Sequence, residues 1–265
     1  MQCQHLTKTE RPCKNEAIGN SEYCYLKSHH PNREAFDIAK QKVIDQFKHR
    51  TEDPNRFEIR DVDGDGACLY RSFAQAIYKR LKTISCHPLF EDIQKIIEGE
   101  DDDYLSDPSE TLLANFLQKT IKDWLYKNQN HIMKPLDCKV RDLVESTHDM
   151  SMEIYRIIYG IFAGDADFLM VQKDGVHSVK KIPFRWGGTP EQYAFTQIFG
   201  FTVNIYDLIT LDRRKWTIKA ANFRHKVRRL RLLQNLHGSE ETLDDTVNLF
   251  YTEIKGIPHY MYLHE

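Results

Sequence analysis

Helical periodicity fills the first two-thirds of this sequence, and strand-like alternation fills the last third. EAFDIAKQKVIDQFKHR (34–50) places Ile38, Val43, Ile44 and Phe47 as a buried stripe, which predicts a helix. TEDPN ends it through Pro54, and RFEIRDV (56–62) alternates as a short strand. Leu69, Phe73, Ile77 and Leu81 then recur every four residues beside Ala76, as one face of an amphipathic helix. GEDDDYLSDPSE (99–110) reads as a solvated acidic loop, and TLLANFLQKTIKDWLYKNQNHI as a further helix. Residues 136–163 also read as helical.

Beyond them TVNIYDLI and TVNLFYTEI are rich in β-branched and aromatic residues and read as strands. KGIP makes a turn, and HYMYL after it alternates as a closing strand. Helices followed by strands predict an α+β fold, and no internal repeat is visible.

Composition narrows the class without naming a partner. The 265 residues are 41% hydrophobic and 29% charged, as in an ordinary globular protein, and the net charge is only −2. No stretch approaches 18 apolar residues, so no membrane span is expected. The N-terminus lacks the apolar core of a secretory signal. A reducing compartment, cytoplasmic or nuclear, is therefore expected, or the host cytoplasm if the chain belongs to a virus or pathogen. The six cysteines are then thiols, metal ligands or a nucleophile rather than a disulfide set.

DVDGDGACLYRS (61–72) admits two chemistries. Asp61, Asp63, Asp65 and Gly66 fall where an EF-hand loop puts its first calcium oxygens and its turn. The twelfth position, which should be a bidentate carboxylate, is Ser72, and the segment before the loop reads as a strand rather than a helix. A nucleophile explains more of the same residues. Gly64 and Gly66 permit a tight turn that aims backbone N–H groups at one point, as an oxyanion hole requires. Cys68 would open a helix at its positive end. A buried structural cysteine is the plainer alternative for this segment. A base is also needed, and among twelve histidines His259 stands just after a turn and just inside a strand.

Together these residues resemble the ovarian-tumour (OTU) family of cysteine proteases. DGACLYR (65–71) resembles its nucleophile motif, WGGTPE (186–191) its Trp-Gly-Gly segment ahead of a helix, and PHYMYL (258–263) its His-Tyr strand, all in the family's order. The resemblance spans about residues 34–265 and implies a papain-like α+β fold, a small central sheet flanked by helices. It implies an isopeptidase that removes ubiquitin, polyubiquitin or a ubiquitin-like modifier from lysine, working as a monomer without a catalytic cofactor. Cys68 would be the nucleophile and His259 the general base. Asp65 would shape the oxyanion loop, with the Ala67 and Cys68 amides as donors. Trp186, Gly187 and Gly188 would lie near the substrate cleft, and Glu191 would start a helix. The family commonly has Asp or Asn two residues after the histidine, where this sequence has Met261. The third member is then sought among Asn204, placed first, and Asp37, Asp61 or Asp63. Met261 also keeps open a ubiquitin-binding relative without full activity.

Residues 1–32 are too polar to fold unaided, yet hold Cys3, Cys13, Cys24 and His29, with His30 in reserve. Three thiolates and an imidazole suit tetrahedral zinc, so a structural zinc module is expected over 1–32. The protease domain would occupy 33–265, with 136–180 as an added helical lobe. RRKWTIKAANFRHKVRRLRLL (213–233) is densely basic. It is read as the solvated face of a strand and a helix in preference to a nucleic-acid site, the remaining alternative.

Overall fold

The computed structural model describes residues 33–49, 57–63, 67–134, 136–160, 168–173, 176–181, 187–217, 220–237, 245–254 and 257–264. In chain order the elements are α1 (Arg33–Lys48), β1 (Glu58–Arg60), α2 (Cys68–Lys79), α3 (Phe90–Ile96) and α4 (Asp107–Lys127). A small hairpin, β2 (Ile132–Met133) and β3 (Cys138–Lys139), leads into α5 (Val140–His148) and α6 (Met152–Gly160). A second hairpin, β4 (Phe168–Lys173) and β5 (Val176–Lys181), precedes α7 (Thr189–Phe199). The remaining strands are β6 (Thr202–Thr217), β7 (Ala220–Leu236), β8 (Thr246–Ile254) and β9 (Ile257–His264).

Five strands form the main sheet in the order β1-β9-β8-β6-β7. All neighbours are antiparallel except β6 and β8. Alternation along the strands divides the core into two layers. Val203, Ile205, Val247, Leu249 and Tyr262 face the larger cluster, with Leu69, Phe73 and Ile77 of α2 and Leu117 and Ile121 of α4. Phe250, Ile254, Met261 and Leu263 face the opposite way, onto Ile44 and Phe47 of α1. The mixed α+β architecture, a sheet with helices on both faces, is what the sequence predicts. Each fully buried aliphatic or aromatic side chain contributes about 1.5–3 kcal/mol to holding these layers together. Among the described residues no helix is long and apolar enough to cross a membrane.

Several local expectations are corrected. Ile38 is 62% exposed, and the buried face of α1 runs instead through Phe36, Ala39, Val43, Ile44 and Phe47. The acidic loop ends early because Asp107 and Pro108 open α4, where a proline without an N–H is tolerated in the first turn. Among the described residues of the lobe expected to be helical over 136–180, the last helix is α6, ending at Gly160. Phe168–Lys181 is a hairpin, with Lys173 paired to Val176. Asp174-Gly175 between alternating segments was the available signal. The described residues of the basic stretch form no helix. It belongs to β6 and β7, paired antiparallel from Val203↔Leu236 out to Thr217↔Ala220.

Candidate active site

Strand β9 loses its outer pairing partner where β1 stops. Pairing of β9 with β1 ends at Arg60↔Tyr262. Two residues back along β9 the backbone N–H on that same edge belongs to Tyr260, and it donates to Cys68 Sγ at 3.4 Å. Cys68 is the first residue of α2, a free thiol with 5% exposure. The helix therefore points its N-terminus, with its unsatisfied N–H groups, at the edge of β9. Leu69, Phe73 and Ile77 anchor it in the core behind.

His259 sits next to Tyr260 on β9 and is 1% exposed. Its Nε2 lies 3.8 Å from Asp61 Oδ1, an ion-pair contact too long for a hydrogen bond. Neither ring nitrogen has a hydrogen-bond partner among the described residues. Burial in this position opposes the charged imidazole. The Asp61 carboxylate and the Cys68 sulfur outweigh it, pushing His259 up to about 9. Phe36 of α1 meets the ring edge-on, with centroids 6.0 Å apart. Asp61, just past β1, is also gripped by Lys40 of α1, whose Nζ is 2.6 Å from Oδ2. Burial works against its carboxylate, but His259 and Lys40 hold its pKa below the usual value.

The structure thus brings Cys68 and His259 together across 191 residues of sequence and supplies a carboxylate, Asp61, from upstream of the cysteine. Asn204, placed first as the third member, is elsewhere. Its amide donates to Asn248 Oδ1 at 3.2 Å and its oxygen accepts from Asn235 at 2.5 Å, on β6, two strands away from β9. Strand alternation explains the gap left at Met261. That position shares the face of His259 but lies over α1, where it is fully buried with Phe47 and Phe250. A carboxylate there would be stranded in apolar surroundings. The calcium reading of 61–72 does not fit Asp61, whose two oxygens face Lys40 and His259.

Ala67 immediately precedes α2 and its carbonyl accepts the first helical hydrogen bond, from Arg71 at 2.9 Å. Gly187 and Gly188 lie at the start of α7. A Cβ on Gly187 would overlap Leu69 Cδ2, so the glycine lets this backbone pack closely on the helix that opens with Cys68. Gly188 N–H donates to Glu191 at 2.7 Å, as expected of a helix-start residue. The same fully buried carboxylate accepts from Tyr155 Oη at 2.6 Å and meets His148 Nε2 at 2.8 Å. Burial raises its pKa, yet His148, Tyr155 and the Gly188 amide together lower it further, so Glu191 stays ionised. Sequence reasoning missed His148 and Tyr155. They come from α5 and α6, and only tertiary packing brings them to α7. Asp65, Trp186 and the expected zinc ligands Cys3, Cys13, Cys24 and His29 lie outside the described residues.

No protein-family model and no curated protein matches the chain. Solved structures do. The OTU domain of OTUD1 is 13% identical, with 87% of this chain and 95% of that one covered and a TM-score of 0.35. The Hazara virus OTU bound to ubiquitin is 13% identical, covering 78% and 80%, with a TM-score of 0.33. The viral OTU domain protease from Farallon virus is 16% identical, covering 78% and 83%, with a TM-score of 0.28. At such values the functional reading rests on the site's own geometry.

Proposed function

We propose that this protein is a cysteine isopeptidase that releases ubiquitin, or a ubiquitin-like modifier, from lysine side chains. One observation carries the reading: a thiol at a helix N-terminus, a buried imidazole held near pKa 9 and a carboxylate converge at the edge of β9 beyond the end of β1. Near neutral pH that imidazole is protonated, which suits it as counter-ion to a Cys68 thiolate and as proton donor to a leaving amine. The thiolate attacks the carbonyl of the modifier's C-terminal glycine, forming the C–S bond. Amide N–H groups at the start of α2, Cys68 among them, take up the oxyanion. His259 gives its proton to the departing lysine nitrogen as the C–N bond breaks. Neutral His259 then deprotonates water, which cleaves the thioester and frees the carboxylate. Asp61 stabilises the imidazolium on each pass. The near-complete burial of Cys68 favours a slim acyl donor, and two terminal glycines are as slim as a peptide can be. Asp61 also provides the charge that Met261 lacks, which weakens the case for a binder without activity.

Ubiquitin carrying a C-terminal electrophile tests the reading. Covalent capture by the wild type, absent in Cys68→Ala, together with cleavage of at least one diubiquitin linkage, is the expected result. Failure to react with ubiquitin and with a panel of ubiquitin-like modifiers would overturn it.

A further inference from the structure

Helix α1 reaches the site with two side chains, and one of them contests the carboxylate. Asp61 offers one oxygen to Lys40 at 2.6 Å and the other to His259 at 3.8 Å. The nearer partner is the lysine, whose side chain is 12% exposed against 40% for Asp61. Among the described residues the imidazole is left without a hydrogen bond at either nitrogen. Phe36, one turn earlier on the same helix, abuts the ring. The two contacts are four residues apart, so a single helical face presents both.

We propose that Lys40 is a positioning residue that competes with His259 for Asp61, so that helix α1 sets how strongly the carboxylate engages the imidazole. The inference deepens the isopeptidase reading of this site. With Lys40 in place the carboxylate is drawn from the ring. With Lys40 withdrawn, the carboxylate is free to close the remaining distance and make the hydrogen bond that orients the imidazole. The charged and titratable groups acting on His259 are Asp61 from the segment after β1, Cys68 from α2 and Lys40 from α1. Asp37 on α1 and Asp63 beside Asp61 are the further carboxylates nearest in sequence. Lys40 acts on the ring in two ways with one sign. It repels the imidazolium directly, and it occupies the charge that would stabilise it.

The test is an NMR titration of the His259 Cε1–H in the full chain, with its signal assigned by loss in His259→Gln. Lys40→Met, which keeps the length of the side chain, is expected to raise the titration midpoint above that of the wild type. Lys40→Arg should restore the wild-type value. In an Asp61→Asn background the Lys40→Met effect should shrink, because most of it passes through the carboxylate. An unchanged or lowered midpoint in Lys40→Met, or an undiminished effect in the Asp61→Asn background, overturns the proposal. A folded Lys40→Met protein, verified by its amide spectrum, makes either result decisive. No substrate enters the titration, so it stands or falls separately from ubiquitin cleavage.

Discussion

Gly187 is packed so closely on Leu69 that a Cβ added to the glycine would overlap Leu69 Cδ2 and approach Tyr70 Cζ to 3.4 Å. Leu69 directly follows Cys68, so whatever pushes on it pushes on the thiol. Gly187→Ala is expected to cost about 1–3 kcal/mol of stability, as overpacking does. It should also slow electrophile capture by Cys68. Adding Leu69→Ala reopens the space, and the pair should be less destabilised than the sum of the single variants. Urea unfolding of the four proteins checks it, and strict additivity would mean the contact is relieved at no cost.

The His259–Asp61 pair predicts a pH dependence. His259 has a folded-state pKa near 9, above its ordinary 6.5. Its contribution to stability is therefore complete below about pH 6.5 and is lost as pH rises through 9. Unfolding measured between pH 6 and 9.5 should show that decline, smaller in His259→Gln. Turnover should fall over the same basic limb as the proton donor is lost, and Asp61→Asn should move that limb to lower pH. A limb unmoved by Asp61→Asn would remove the carboxylate from the mechanism.

Restoring the usual residue at Met261 should fail. Met261→Asn would bury an amide among Phe47, Phe250 and Leu263 with no partner, at a cost of roughly 2–4 kcal/mol. No gain in turnover is expected, because this position lies over α1 with those side chains. A Met261→Asn enzyme that is both stable and faster would show that the strand face has been misassigned.

Glu191 gathers the Gly188 amide, Tyr155 and His148 around one fully buried carboxylate. Glu191→Ala removes the acceptor that all three share, and the expected loss is on the order of 3 kcal/mol. Tyr155→Phe removes a single donor and should cost about 1 kcal/mol. If both variants unfold at the same denaturant concentration, the network contributes less than its burial implies.

Much of this was legible in the sequence because local pattern and tertiary role agreed. The four-residue spacing of Leu69, Phe73 and Ile77 gave α2, and with it the placement of Cys68 at a helix start. The alternation of HYMYL gave β9 and put His259 near its beginning. Asp61 was one of four candidates and not the first, because its approach to His259 depends on where β1 stops pairing. No one-dimensional pattern encodes that. The stripe assigned to α1 included Ile38, which belongs by composition but lies off the helix face that the sheet covers. In β7, RHKVRRLRLL has the residues of a helix, yet β6 lies beside it as a pairing partner and strand geometry prevails. His148 and Tyr155 carry no signal of their own and gain meaning only beside Glu191.

The position of β9 between β1 and β8 has a consequence for biogenesis. Asp61 and Cys68 emerge from the ribosome early, and His259 arrives only with the strand that must slot between its neighbours. Until then the sheet has a gap, and the half-built layers expose Phe47, Phe250 and Leu249 to the solvent of the cell. Contacts of such long sequence separation form slowly. The cluster around Cys68 is thus incomplete until β9 is in place, and the interval before closure leaves apolar surface open to off-pathway contacts.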